Sequence, residues 1–206
     1  NYHKKDVYCL DVEGTHNFSS FGVVLHNCSP INLYGKTKAV AEDLFTSAGY
    51  SVLRYGNVVG SQSSFIHVWR NQLREDKNIV LRTPDPTRFF LTMNEAIDLV
   101  DSALHNTIGS EIFIPRDLKS FSIIHVADAL EIRNRRYEAL LPGEKQHEVL
   151  LSEHEQGEVV NDLLCRVWKG YQGSLSHRQY NSSTAMRLTT EEILQRIKTI
   201  LGHTPI

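Results

Sequence analysis

The sequence predicts an α/β fold built on a mostly parallel sheet, on three observations. Short apolar runs of strand length alternate with helix-period segments of about 10–15 residues, the pattern of βαβ units. The length of 206 residues, at 41% hydrophobic and 22% charged, suffices for one ordinary core with a small appendage. No internal repeat points instead to a solenoid or propeller.

Residues 7–13, VYCLDVE, alternate apolar and polar as a half-buried strand does, and Gly14-Thr15 is turn-like. Gly22 to Leu25 form a second apolar run, so a small β unit is expected before residue 28. Lys36 to Ala48 carries apolar residues at helical spacing (Ala39, Val40, Leu44, Phe45, Ala48) and is closed by Gly49. The strand-like SVLRYGNVV follows. A helix near Phe65 to Glu75, a strand at Asn78 to Leu81, a helix at Asn94 to Asn106 and a strand at Glu111 to Pro115 continue the alternation. A further helix is read at Ile123 to Ile132. After about Ser152 the periodicity weakens, and only TTEEILQRIKTI, Thr189 to Ile200, reads clearly as a helix, with Thr189 or Thr190 as its cap.

The formal net charge of -2 supplies no basic field to steer nucleic acid or an anionic membrane. No apolar run approaches the roughly 20 residues needed to span a bilayer, and no secretory signal opens the chain. A cytoplasmic protein is expected, without nucleic-acid or membrane partners and without a metal site. Three cysteines, Cys9, Cys28 and Cys165, are too few and too scattered for a disulfide framework and suit free thiols in a reducing compartment. The chain opens at Asn1 without a Met, inside the charged stretch NYHKKD, so further sequence upstream is expected.

Two chemistries meet in residues 22–38, GVVLHNCSPINLYGKTK. An Asn amide can attack its own backbone carbonyl, form a succinimide and cut the chain after itself. A neighbouring His, with a pKa near neutrality, can assist by proton transfer, and a following Cys can capture an acyl group as a thioester. His26-Asn27-Cys28 therefore has the makings of a self-cleavage triplet, although three such residues in a turn define nothing alone. Its surroundings are more specific. VYCLDVEGTHNF followed by GVVLHNC closely resembles the two C-terminal splicing motifs of inteins. The resemblance implies Asn27 as the cyclising residue, His26 as its assistant, His16 as the upstream His that tunes proton transfer, and Cys28 as the first residue of the C-extein. Cys9 stands where the motif commonly has Asp, and three roles remain open for it: modulating the Cys28 thiol, acting as a branching nucleophile, or packing as a buried thiol. The N-terminal splicing motifs are absent, so an N-terminal intein and extein part, in cis or in trans, is the implied partner.

Tyr34 and Lys38 are four residues apart, which places a phenol and an ammonium one turn apart on a helix. A nearby Lys⁺ favours the phenolate, and a phenolate can take a proton from a sugar hydroxyl while hydride leaves to a nicotinamide. YxxxK alone is a weak signal. SPINLYGKTKAVAE, VLRYGNVVGS, DPTRFFLTMNEAIDLV, GSEIFIP and PGEKQHEVLLSE, with YNSSTAMRLTTEEIL near the end, together resemble the extended short-chain dehydrogenase/reductase family. More narrowly they resemble its inverting UDP-N-acetylglucosamine 4,6-dehydratases of polysaccharide biosynthesis.

That resemblance implies an NADP-dependent lyase with a Rossmann-like fold. Tyr34 would be the base and Lys38 the residue that holds the cofactor ribose. The backbone of Val58, Val59, Gly60 and Ser61 would face the cofactor, Asn57 would lie against the sugar, and Arg88 and Glu144 would hold the UDP moiety. Two positions depart from the family pattern. Leu141 replaces an Arg before PGEK, and Gln62 lies where a second basic residue is usual. The Gly-rich phosphate loop and the Asp-Lys elimination pair are absent, so this chain alone is expected to be inactive as a dehydratase.

The domain reading that follows has an intein segment over 1–27 and the C-terminal part of a dehydratase over 28–206. Within the latter, 28–115 would close the Rossmann-like domain and 116–206 would be mostly substrate-binding and C-terminal region. A homo-oligomer is expected after splicing. The rival readings are a UDP-sugar 4-epimerase and a relic with no surviving chemistry.

Overall fold

The computed structural model describes residues 19–20, 23–26, 33–61, 64–169 and 179–202. The strand expected at 7–13, together with Cys9, His16, Asn27, Cys28 and Gln62, lies outside them. The chain runs β1 (Ser19–Ser20), β2 (Val23–His26), α1 (Leu33–Ser47), β3 (Ser51–Arg54), α2 (Phe65–Arg74), β4 (Ile79–Thr83), β5 (Thr87–Phe89), α3 (Met93–Asn106), β6 (Ile112–Pro115). It continues with β7 (Ser120–Ser122), α4 (Ile123–Ala129), β8 (Arg135–Ala139), β9 (Val149–Leu151), β10 (Glu155–Val159), β11 (Leu164–Lys169), β12 (Tyr180–Asn181) and α5 (Thr190–Leu201).

Helix ends follow local chemistry. After α1, Gly49 takes φ +89° while its N–H donates to the Thr46 carbonyl at 3.1 Å and the Tyr50 N–H to the Phe45 carbonyl at 2.9 Å. This is a Schellman stop, which a Cβ would strain. Thr92 opens α3 and Thr189 opens α5, each in a reciprocal capping box with Glu95 or Glu192 three residues on. The α5 side chains Ile193, Ile197 and Leu201 then recur on one buried face.

The main sheet has six strands in the order β1-β2-β3-β6-β11-β10. Only β2–β3 and β3–β6 pair in parallel, while β1–β2, β6–β11 and β11–β10 are antiparallel. The sheet is therefore mixed, where a mostly parallel one was expected. The antiparallel strands escaped notice because β10, EQGEV, is a largely exposed edge strand with charged side chains, which is how natural sheets protect an edge. The central strands β3 and β6 are buried along their whole length, as strands covered on both faces should be.

β10 and β11, from beyond residue 115, belong to the main sheet. Conversely, α2 and β4 from before it pack with α4 and α5 in one core that includes Ile66, Trp69, Leu81, Phe121, Val126 and Ile193. β2 lies against β3 in parallel, with Val23 opposite Ser51 and His26 opposite Arg54, and α1 packs on both strands. The alternating strand β6 divides the remaining core: Phe113 joins Leu53, Leu91 and Leu99 on the face covered by α3, and Ile112 and Ile114 join Phe89, Leu150 and Val167 on the other.

Candidate functional site

A β2–α1–β3 unit sets the first part of the site. In open α/β sheets, ligands collect beyond the carboxyl ends of the strands. Here those ends lead into the N-terminal turn of α1, with Tyr34 and Lys38 one turn apart, and into the Tyr55-Gly56-Asn57 loop. The loop needs glycine at 56 because a Cβ there would lie 2.6 Å from Phe89 Cβ. Tyr55 is unsuited to act as a base, since burial pushes its phenol up to about 12.

α1 is held to the sheet by a buried charge cluster. Arg54, 3% exposed, donates from Nε and Nη2 to both carboxylate oxygens of Glu42 on α1, at 2.6 and 2.7 Å. Its Nη1 and Nη2 also reach Glu155 at 3.0 and 2.7 Å, and Nη1 reaches the Leu150 carbonyl at 3.2 Å. Burial works against ionising Glu155, but the Arg54 hydrogen bonds outweigh it and hold this carboxyl below its ordinary range.

Beyond Asn57 the chain lines a cavity of about 530 Å³. Asn57, Val58, Val59 and Ser61 form one wall, and Ser64, Phe65, Val68, Trp69 and Gln72 of the α2 segment form the next. β4 contributes Val80 and Arg82, β5 contributes Arg88, and Glu144 closes the ring with Phe121. The 57–61 loop is pinned by the Val59 N–H donating to the Leu91 carbonyl at 2.8 Å, and Gly60 takes φ +90°.

The charged members are oriented individually. Arg88 Nη1 donates to the carbonyls of Thr87 at 2.8 Å and Gln146 at 3.1 Å, which fixes the guanidinium through one nitrogen. Arg82 donates from Nη1 to Glu138 at 2.6 Å and lies 3.4 Å from Glu144 through Nε. Glu144 accepts from the Leu141 N–H at 3.0 Å, while its own N–H donates to the Leu141 carbonyl at 2.9 Å. Leu141, read as a lost contact, thus positions Glu144 through its backbone. Next to Arg88, His147 shares a hydrogen bond with Thr87 Oγ1 at 2.8 Å; burial, then Arg187 and Arg88, lowers its pKa. Burial raises the Glu148 carboxyl, which accepts from the Phe89 N–H at 2.9 Å.

The structure therefore brings Asn57, Val58, Val59, Ser61, Arg88 and Glu144 to one cavity, although they come from segments far apart in sequence. Gly60 shapes the same loop, but its position faces Ile200, where a Cβ would meet a methyl at 2.4 Å. Tyr34 and Lys38 lie on α1, one turn apart, and the Tyr34 side chain lies outside what the structure describes. Sequence reasoning missed Gln72, Trp69 and Arg82. The last had a faint signal, since strand alternation in IVLRT places Val80 and Arg82 on one face.

The helix α1 and the cavity beyond Asn57 belong to one α/β fold built on a mixed sheet. Residues 26–164 match the polysaccharide biosynthesis protein family, and the chain belongs to it. Among curated proteins it is similar to an uncharacterized membrane protein of Methanocaldococcus jannaschii, 32% identical over 84% of this chain and 59% of that one. It is similar to the inverting UDP-N-acetylglucosamine 4,6-dehydratase of Campylobacter jejuni, 33% identical over 61% of this chain and 40% of that one. It is also similar to the UDP-glucose 4-epimerase of Rickettsia felis, 34% identical over 61% of this chain and 41% of that one. The X-ray structure of Pen from Bacillus thuringiensis superposes with a TM-score of 0.74 at 27% identity, over 86% of this chain and 62% of that chain. The chain thus spans between 40% and 59% of the length of these curated relatives. Among the described residues, no helix is long and apolar enough to cross a membrane.

Proposed function

We propose that this chain is the C-terminal portion of an NADP-dependent UDP-N-acetylglucosamine 4,6-dehydratase, joined at Asn27/Cys28 to the C-terminal segment of an intein. The observation that carries the enzymatic reading is the convergence of Asn57, Arg88 and Glu144 on one cavity large enough for a nucleotide. A guanidinium held in place by carbonyls suits a diphosphate, and a carboxylate suits ribose hydroxyls. Tyr34 would take the proton from the sugar C4 hydroxyl. Lys38, one turn further along α1, would hold the nicotinamide ribose and keep the phenolate accessible. When bound, the cofactor supplies reversible hydride acceptance; NADP rather than NAD follows only from the family resemblance.

A UDP-sugar 4-epimerase is the second reading, favoured by the similarity to the Rickettsia felis epimerase. The two enzymes share the Tyr and Lys but not the elimination step. Titration of the purified chain with UDP-N-acetylglucosamine tests the shared part: binding is expected, and Arg88→Ala should weaken it about tenfold or more. Binding by Arg88→Ala at wild-type strength would remove the diphosphate role. Co-expression with the N-terminal half of a dehydratase, read by NMR of the sugar product, separates a 4-keto-6-deoxy product from an epimer.

The splicing reading rests on the order and spacing of VYCLDVEGTHNF and GVVLHNC alone. Incubation with dithiothreitol should release residues 1–27, seen by intact mass, and Asn27→Ala should abolish the release. An unchanged mass for the wild-type chain would count against this part and leave the dehydratase part standing.

A further inference from the structure

α3 carries an exposed apolar row on one flank. Its buried residues Ala96, Leu99 and Ala103 pack with Leu53 and Phe113, so the helix lies over β3 and β6. Met93, Ile97 and Leu104 are 53%, 57% and 37% exposed. They fall within about 40° of one another and about 100° round the helix from the buried face. A row at that angle points neither into the sheet nor straight out to solvent. It points sideways, where a second helix of the same layer would lie. The opposite flank already has neighbours: Arg196 of α5 donates to Glu95 at 2.8 Å, and Asn161, in the turn before β11, donates to Ser102 at 3.0 Å. That flank faces β11. The strand order puts β2 on the far side of β3 from β11, and α3 reaches β2, so the apolar row faces the β2 edge.

Charge and length indicate what covers the row. Asp101 and Asp98, both exposed, border it on the outward side. A second copy of α3 packed antiparallel would set these aspartates against their own counterparts, which is unfavourable. The chain spans 40% to 59% of the length of its curated relatives, which therefore have a portion of comparable size beyond it. The β2 edge has room for a further strand, since among the described residues β1 pairs there with Val23 and Val24 only. We infer that the Met93–Ile97–Leu104 flank of α3 is the docking site for an amphipathic helix of that portion. The helix would present aliphatic side chains to the row and Lys or Arg to Asp98 and Asp101. The inference rests on the reading of this chain as the C-terminal portion of a larger enzyme, and adds the surface by which the two portions join.

The two methionines of the chain supply the test, because Met93 lies in the row and Met186, 71% exposed, lies outside it. Oxidation by hydrogen peroxide, read by mass spectrometry, is compared for the chain alone and for the chain co-purified with the N-terminal half of the Campylobacter jejuni dehydratase. Both methionines should oxidise in the chain alone; in the complex Met93 should slow about tenfold and Met186 should not change. Ile97→Asp should reduce co-purification about tenfold or more and Ile97→Leu should retain it, with circular dichroism melts confirming that each variant folds. Protection of Met93 in the chain alone, rising with its concentration, would assign the flank to a second copy and overturn the inference. A complex with Met93 unprotected, or undiminished capture by folded Ile97→Asp, overturns the α3 assignment and leaves the C-terminal reading standing. Failure of the two portions to co-purify overturns that reading with it.

Discussion

Two arginines in this molecule each lie between two glutamates, and they do different work. Arg54 is enclosed, with side-chain exposures of 4% for itself and 3% for Glu42, and it ties α1, β3 and the start of β10 together. Arg82 is open, 21% exposed beside a Glu138 that is 41% exposed, and it borders the cavity. The same pairing is structural where water is excluded and available to a ligand where it is not. The strength of an ion pair follows from its surroundings more than from its partners.

The largest effect should come from breaking the enclosed cluster. Arg54→Met takes the guanidinium away from the buried carboxylates of Glu42 and Glu155 and should cost about 3–5 kcal/mol, read as a fall in the urea midpoint. A midpoint within error of wild type would show that the cluster contributes no net stability. Gly56→Ala comes next. Its Cβ must displace the Phe89 Cβ or the 55–57 loop, so a loss of about 1–3 kcal/mol is expected together with weaker ligand binding.

The pH dependence separates the groups by sign. Glu155 and Glu111 both have folded pKa values below the ordinary 4.5: burial opposes ionisation, but Arg54 outweighs it for Glu155 and Ser51 with the N–H groups of Gly109 and Ile108 outweighs it for Glu111. Their stabilisation is fully present above the unfolded value and is lost as pH falls through the folded ones. Thermal melts should therefore decline from pH 5 downwards. Glu148 has the opposite sign, because burial raises its pKa. Its contribution is present at low pH and is lost as pH rises through the folded value, so Glu148→Gln should raise Tm at pH 8 more than at pH 5. The smallest effect should be that of Arg82→Gln on stability, about 0.5 kcal/mol or less, since that pair is part-exposed. A loss comparable to that of Arg54→Met would erase the distinction between the two arginines.

Much of the fold was legible because its signals are local. Gly49 closes α1, Thr92 and Thr189 cap α3 and α5, and the apolar residues of those helices recur at the period of the buried face. The antiparallel flank of the sheet was not legible. Strands such as β10 and β12 are short and polar, and they are held by partners distant in sequence rather than by their own pattern. The same holds at the site. Asn57, Arg88 and Glu144 were read from motifs and line one cavity, whereas Gln72 and Arg82 join that lining only when α2 and β4 come together. The pairing of β2 with β3 likewise joins segments that are not adjacent in sequence.

Residues scattered between 57 and 144 line one cavity, and amide chemical-shift mapping with UDP-N-acetylglucosamine asks whether it is a sugar-nucleotide site. Saturable shifts confined to the 57–61 loop, the lining face of α2, Arg82, Arg88 and Glu144 are expected. Shifts centred elsewhere, or none at saturating ligand, would contradict the sugar-nucleotide reading.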